Sequence, residues 1–91
     1  MRAPVVSVLM DLPADHPYHR ASLAALRHAA DHLRMSIDVR VVPTDLIRKS
    51  PDLMTGGSAI FVGPGSPYRD PDAVVDCIEA ARNNGVPLVG T

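Results

Sequence analysis

Short apolar runs alternate with amphipathic segments along the chain, and this alternation predicts strands and helices in turn. The first run, Val5–Met10, is β-branched and ends at Asp11, which indicates a buried strand. From Pro17 to Leu33, apolar residues recur at helical spacing. The members of that apolar stripe are Leu23, Leu26, Ala30 and Leu33. Ile37–Val42 then alternates apolar and polar residues, which predicts a second strand near the edge of a sheet.

The middle of the chain is less regular. Prolines and glycines interrupt Pro43–Gly57, where only Asp45–Lys49 suggests a short helical turn. The unbroken apolar run Ala59–Val62 predicts a third, fully buried strand. Gly63–Pro67 follows this strand as a tight loop.

The last helix has clear signals at both ends. The Asp70 carboxylate can cap its first turn, and Pro71 suits the first helical position because no N–H is needed there. The expected buried face carries Val74, Ile78 and Ala81, with Val75 beside them. Asn83-Asn84-Gly85 predicts a left-handed stop. A fourth strand is then expected at Val86–Gly90.

The predicted order, β-α-β-β-α-β with an irregular stretch before the third strand, implies parallel strands joined by right-handed crossovers. We therefore expect residues 1–91 to form a single α/β domain. Its open, mostly parallel sheet would have flanking helices, as in flavodoxin-like or Rossmann-like folds. Ligands of such sheets bind at the carboxyl ends of the strands. The segments expected there are Asp11–Tyr18, Gly63–Arg69 and whatever follows Thr91.

Composition and charge exclude several classes of protein. A hydrophobic content of 46% argues against disorder. Nine Lys/Arg against ten Asp/Glu leave a net charge of −1, so we expect no nucleic-acid or membrane partner. No apolar run approaches the roughly 20 residues of a membrane span. The single cysteine, Cys77, excludes a disulfide framework and a Cys-rich zinc site. We expect a cytoplasmic protein without a cofactor.

The run Gly63–Arg69 is the best candidate for chemistry, because it directly follows a buried strand. Glycines let a ligand approach the backbone, and backbone N–H groups in such a turn can hold an oxyanion. The alternative is a plain β-to-α connection stiffened by prolines. The run is not a dinucleotide fingerprint, since position 68 is Tyr, and it has no Gly-Lys-Ser/Thr of a P-loop.

Other polar residues are weaker candidates. His16 and His19 follow the first strand and are candidates for substrate contact, although loop histidines are common. Asp11 and Asp15 lie at the same end, but a phospho-acceptor or magnesium site would need another Asp after the third strand. The nearby histidines His28 and His32 are expected on a solvated helix face, so we expect no metal site. Cys77 lies among apolar residues and is expected to be buried and inert.

Taken together, two segments resemble class I glutamine amidotransferases, and more narrowly the glutaminase domain of the CTP synthase family. They are Val62–Arg69 and, after the intervening helix, Asn84–Thr91. The stretch Tyr18–Ala30 fits the same family, so the resemblance covers nearly all of the chain. It implies glutamine as substrate, hydrolysed to glutamate and ammonia by a cysteine thiolate assisted by a histidine and a carboxylate.

The resemblance also implies site residues. The Gly65 N–H would face the tetrahedral intermediate, and Ser66 replaces the second glycine of the family's loop. Pro67 replaces an aromatic residue and has no N–H to donate. By position, His16 and His19 with Tyr68 and Arg69 would line the substrate side; the nucleophile is expected directly after Thr91.

The nucleophilic cysteine and its partners are therefore expected outside the 91 residues, which resemble the N-terminal half of the family's domain. We expect no glutaminase activity from these residues alone. The remainder of the domain, or a partner chain in a homo- or hetero-oligomer, would pair with the apolar edge Val86–Gly90. The alternative is a non-catalytic α/β module for small-ligand binding or assembly.

Overall fold

A computed structural model describes residues 3–50, 59–65 and 67–90 of the chain. In chain order they form β1 (Val5–Leu9), α1 (Pro17–His32), β2 (Asp38–Val42), a 3₁₀ helix (Thr44–Lys49), β3 (Ala59–Val62), α2 (Pro71–Asn83) and β4 (Leu88–Gly90). The predicted order of elements is confirmed. The expected helical turn is the 3₁₀ helix, and it begins one residue early, at Thr44. Strand β4 begins only at Leu88, after Pro87, which has no N–H for a sheet ladder.

The strands form one parallel sheet in the order β2-β1-β3-β4. Leu9 of β1 pairs with Val42 on one side and with Val62 on the other. The chain first builds outward from β1 to β2 and then returns to add β3 on the opposite side. The helices that follow β1 and β3 therefore lie on opposite faces of the sheet, and the carboxyl ends of these two strands are where open α/β sheets bind ligands.

The better-packed face of the sheet lies under the 3₁₀ helix and α2. Alternate residues of the strands point to this face. The core there consists of Leu9, Val42, Ile47, Ile60, Val62, Ala73, Val74, Cys77 and Ala81. Tyr68, Val86 and Leu88 are partly buried and pack against it. The mainly aliphatic composition of this core agrees with the scarcity of aromatic residues in the sequence.

Helix α2 has the predicted ends. Asp70 Oδ1 accepts a hydrogen bond from the Ala73 N–H at 3.0 Å, and Gly85 takes a φ of +68° after the helix. The expected buried face was partly wrong, because Ile78 is 39% exposed and Val75, expected beside that face, is 60% exposed. Each residue turns a helix by about 100°, so a face centred on Val74 and Cys77 leaves Ile78 on its flank.

Helix α1 covers the other face of the sheet more thinly. Of its residues only His19 and Ala30 are buried, whereas Leu33, expected on the apolar stripe, is 65% exposed. The helix ends at His32, and Leu33 is its C-cap. Arg34 then takes a φ of +56°, which turns the chain toward β2. No helix among the described residues has the length and apolarity needed to cross a membrane.

Candidate functional site

The candidate site lies where the segments after β1 and β3 meet. The Gly63 N–H donates to the Leu9 carbonyl at 2.9 Å, which extends the strand pairing by one step. A Cβ added at Gly63 would lie 3.2 Å from the Leu9 oxygen and from the Met10 Cβ. The two segments are therefore in close contact at the switch in strand order.

Gly65 occupies a position that only glycine tolerates. Its φ is +112°, a region that L side chains rarely adopt. A Cβ there would lie 2.7 Å from Cγ of Leu12. Among the hydrogen bonds of the described residues, none uses the Gly65 N–H as a donor. Its oxyanion role remains a prediction, and the second predicted donor, Ser66, lies outside the described residues.

The Asp11 carboxylate joins three segments of the chain at this end of the sheet. Its Oδ1 accepts from the Thr44 N–H at 2.8 Å. Its Oδ2 accepts from the Thr44 hydroxyl at 2.7 Å and from the Arg69 N–H at 2.9 Å. Thr44 is fully buried, and its Oγ also accepts from the Asp70 N–H at 3.0 Å. These bonds tie the end of β1 to the 3₁₀ helix and to the segment that precedes α2.

Two opposing effects act on the pKa of Asp11. Partial burial alone would raise this pKa, but the hydrogen bonds from Thr44 and Arg69 outweigh burial and lower it below the ordinary value. The carboxylate is therefore ionised at neutral pH, and both of its oxygens already accept hydrogen bonds from donors of the protein. Because these oxygens are occupied, Asp11 is a poor candidate for a phospho-acceptor or a magnesium ligand. Within the described ranges, no three His, Cys, Asp or Glu side chains are grouped closely enough to hold a metal ion.

Tyr68 and Arg69 have distinct positions in the loop. The Tyr68 hydroxyl donates to the Gly63 carbonyl at 2.7 Å, which closes the loop on itself. Arg69 donates its N–H to Asp11, while its side chain is 59% exposed and lies 3.9 Å from Asp45. A role for either residue on the substrate side remains a prediction.

The two histidines near the site lie at the start of α1. His16 caps this helix, since its Nδ1 accepts the Tyr18 N–H at 3.1 Å. His19 is buried, and its Nδ1 lies 2.9 Å from the Leu12 carbonyl oxygen. Because a carbonyl oxygen only accepts, Nδ1 carries the proton in this contact. His19 therefore supports the Leu12 segment, and substrate contact by either histidine remains a prediction.

A shallow depression lies beside the glycine loop. Its volume is about 310 Å³, and Tyr18, Ala21, Ser22 and Pro64 line it. The lining is largely apolar, and Tyr18 is 64% exposed at its rim. The depression therefore offers an apolar contact next to Gly65.

Cys77 is fully buried in the core between α2 and the sheet, as the sequence predicts. Burial raises the pKa of its thiol, because the thiolate would lose its hydration there. The thiolate is the reactive form of cysteine, so Cys77 is not the nucleophile of this site.

We expect Cys77 in the folded protein to resist an aromatic disulfide reagent. The thiol should react only when the chain opens, so labelling should speed up sharply across the urea unfolding transition. The same chain fully unfolded in urea is the control for complete labelling. Rapid labelling without denaturant would contradict the burial of Cys77.

Sequence reasoning missed Leu12 and Thr44. Both follow strands that are neighbours in the sheet, β1 and β2, and the carboxyl ends of parallel strands meet at one edge. A hydroxyl residue at this place, directly after Pro43, is the signal that would have indicated Thr44. No local signal predicts the contact of Leu12 with Gly65, because 53 positions separate the two residues.

Comparison with known proteins bears on the fold. No protein-family model matches the chain. The structure is similar to that of Trypanosoma brucei CTPS, solved as a glutaminase domain with bound acivicin, with a TM-score of 0.79 and 22% sequence identity. The match covers 98% of this chain and 36% of that chain. The chain therefore has the α/β fold of a class I glutamine amidotransferase domain, over about one third of the length of that relative.

Proposed function

We propose that this chain is part of a glutamine amidotransferase and contributes the oxyanion-hole loop of its glutaminase site. The observation that carries the proposal is Gly65. It lies after β3 at the reversal of strand order, has a φ of +112°, and has an N–H that no described residue accepts. The likeness to the glutaminase domain of Trypanosoma brucei CTPS supports this reading.

In the proposed reaction, a cysteine thiolate attacks the side-chain amide carbon of glutamine. The amide oxygen becomes an oxyanion in the tetrahedral intermediate. The assisting histidine then donates a proton to the departing nitrogen, so that ammonia leaves and the remaining thioester is hydrolysed by water. The Gly65 N–H, with that of Ser66, would stabilise this oxyanion. Removing one such donor in other enzymes slows the reaction by about 10²–10³-fold. Pro67 cannot contribute, because it has no N–H.

The proposal places the nucleophile and its histidine and carboxylate partners beyond these 91 residues. The segment that supplies them would extend the sheet at β4, an edge strand among those described. Val89 of β4 is 61% exposed, so this edge has apolar surface for a neighbour. A neighbouring strand there, from the same or another polypeptide, would cover this edge. The nucleophile expected directly after Thr91 would lie at the end of β4, beside the Gly65 loop that follows β3.

The test is a mass spectrum followed by an assay. A denaturing intact-mass spectrum of the native protein shows whether a longer chain or a second polypeptide accompanies these 9.7 kDa. We expect glutamine-dependent ammonia release only from a preparation that includes the additional segment. Cysteine-dependent release by the 91 residues alone would contradict the placement of the nucleophile. A complete preparation that releases no ammonia would overturn the proposal.

The alternative function is a non-catalytic module that binds a small ligand. The apolar depression between Tyr18 and Pro64 favours this alternative, because it offers a small ligand an apolar contact surface beside the loop. A native preparation that contains a single 9.7 kDa species and shows no ammonia release would favour it. A ligand screen that reads the Tyr18 resonances would then be the next measurement.

A further inference from the structure

The loop that contains Gly65 is anchored at its far end by two side chains from other parts of the chain. Asp11 Oδ2 accepts the Arg69 N–H at 2.9 Å, and Thr44 Oγ accepts the Asp70 N–H at 3.0 Å. The Thr44 hydroxyl donates to Asp11 Oδ2 at 2.7 Å. Each side chain therefore orients the other, and we call them the Asp11–Thr44 pair.

The near end of the loop is anchored separately. The Gly63 N–H donates to the Leu9 carbonyl, and the Gly63 carbonyl accepts from the Tyr68 hydroxyl. Between the two anchors, Pro64 and Pro67 each have a restricted φ. Leu12, which directly follows Asp11, lies beside Gly65, where an added Cβ would be 2.7 Å from Leu12 Cγ. A displacement of Asp11 would therefore reach Gly65 through Leu12 as well as along the loop from Arg69.

We propose that the Asp11–Thr44 pair is a positioning unit that sets the direction of the Gly65 N–H. Thr44 is fully buried, so it acts through the loop and not by touching a ligand. The catalytic meaning of this positioning rests on the proposed function, whereas the positioning itself rests only on the contacts described. Nothing in the resemblance to glutamine amidotransferases assigned a role to either residue.

Substitutions at Thr44 separate positioning from general stability. Thr44→Val keeps the shape of the side chain but removes its hydroxyl, and Thr44→Ser keeps the hydroxyl. Ser50→Ala is the matched control, since it removes an exposed hydrogen bond from Ser50 Oγ to the Leu46 carbonyl in the same region. NMR on the whole chain then reports the Gly65 amide shift and the exchange rate of each amide.

We expect Thr44→Val to move the Gly65 amide resonance and to speed exchange of the Arg69 and Asp70 amides by about tenfold. Thr44→Ser should restore both, and Ser50→Ala should change neither. If Thr44→Val does not fold, Asp11→Asn, which keeps one acceptor oxygen, gives the same readout. An unmoved Gly65 resonance, or faster exchange of equal size at all amides, would overturn the proposal.

Activity gives an independent readout on the complete preparation. We expect Thr44→Val to lower kcat by up to about a hundredfold while KM changes little, and Thr44→Ser to restore kcat. If Thr44→Val moves the Gly65 resonance but the complete protein releases no ammonia, the positioning proposal stands and the proposed function fails. If the complete protein releases ammonia but Thr44→Val does not move the Gly65 resonance, the proposed function stands and the positioning proposal fails.

Discussion

Replacing Gly65 with alanine should lower the free energy of unfolding by about 4 kcal/mol, the largest loss we expect from a single substitution in this chain. Two effects combine. The added Cβ would lie 2.7 Å from Leu12 Cγ, and the φ of +112° is strained for any L side chain. The shift of the urea midpoint measures the loss.

Two controls separate these effects. Gly85 also has a positive φ, +68°, but a Cβ there meets nothing within 4 Å, so Gly85→Ala should cost only about 1 kcal/mol. Adding Leu12→Ala to Gly65→Ala should relieve the clash but not the strain, so the double variant should lose less than the sum of the single losses. Equal losses for Gly65→Ala and Gly85→Ala would show that the contact with Leu12 is unimportant.

The second large effect should come from Asp11→Ala, which we expect to cost about 3 kcal/mol. The substitution leaves the Thr44 N–H, the Thr44 hydroxyl and the Arg69 N–H without their shared acceptor. Asp11→Asn should cost less, because one side-chain oxygen still accepts. Asp15→Ala, at an exposed position in the same segment, should stay within about 0.5 kcal/mol of the native chain. Urea unfolding at pH 7 compares the variants.

The difference in free energy of unfolding between the native chain and the Asp11 variants should depend on pH in a defined direction. Folding lowers the pKa of Asp11, so its contribution is fully present above the pKa of the carboxyl in the unfolded chain and is lost as pH falls through the lower, folded value. We expect the difference between the native chain and Asp11→Asn to be constant from about pH 7 to 5 and to shrink below about pH 4. A difference that grows on acidification would contradict this assignment.

Local signals in the sequence were enough to predict the elements. The cap Asp70, the helical proline Pro71 and the stop Gly85 each act within a few residues, and the structure has them as expected. The alternation of strands and helices predicted the open α/β sheet, and the resemblance carried by Val62–Arg69 together with Asn84–Thr91 narrowed the fold, which the structural comparison supports. The predictions that failed concern how deeply Leu33, Val75 and Ile78 are buried, because burial depends on where a helix sits on the sheet.

The site was predicted less completely, because its contacts span long separations in sequence. Gly65 was predicted from its loop, but the clash that demands glycine there comes from Leu12. Asp11 was noted as a carboxylate at the correct edge of the sheet, yet its partners lie 33 and 58 positions away. No local pattern indicates that such a carboxylate accepts hydrogen bonds from backbone N–H groups and does not bind a metal ion.

The strand order also determines when this site can form as the chain is synthesised. Strand β1 can pair with β2 once about half of the chain has emerged, but its other neighbour, β3, comes only at Ala59–Val62. The Arg69 N–H reaches Asp11 across 58 positions, so the loop closes after most of the sheet is in place. Folding should therefore be slow for a chain of this length. A nascent chain halted after the 3₁₀ helix would already contain Asp11 and Thr44 but not the glycine loop that they anchor.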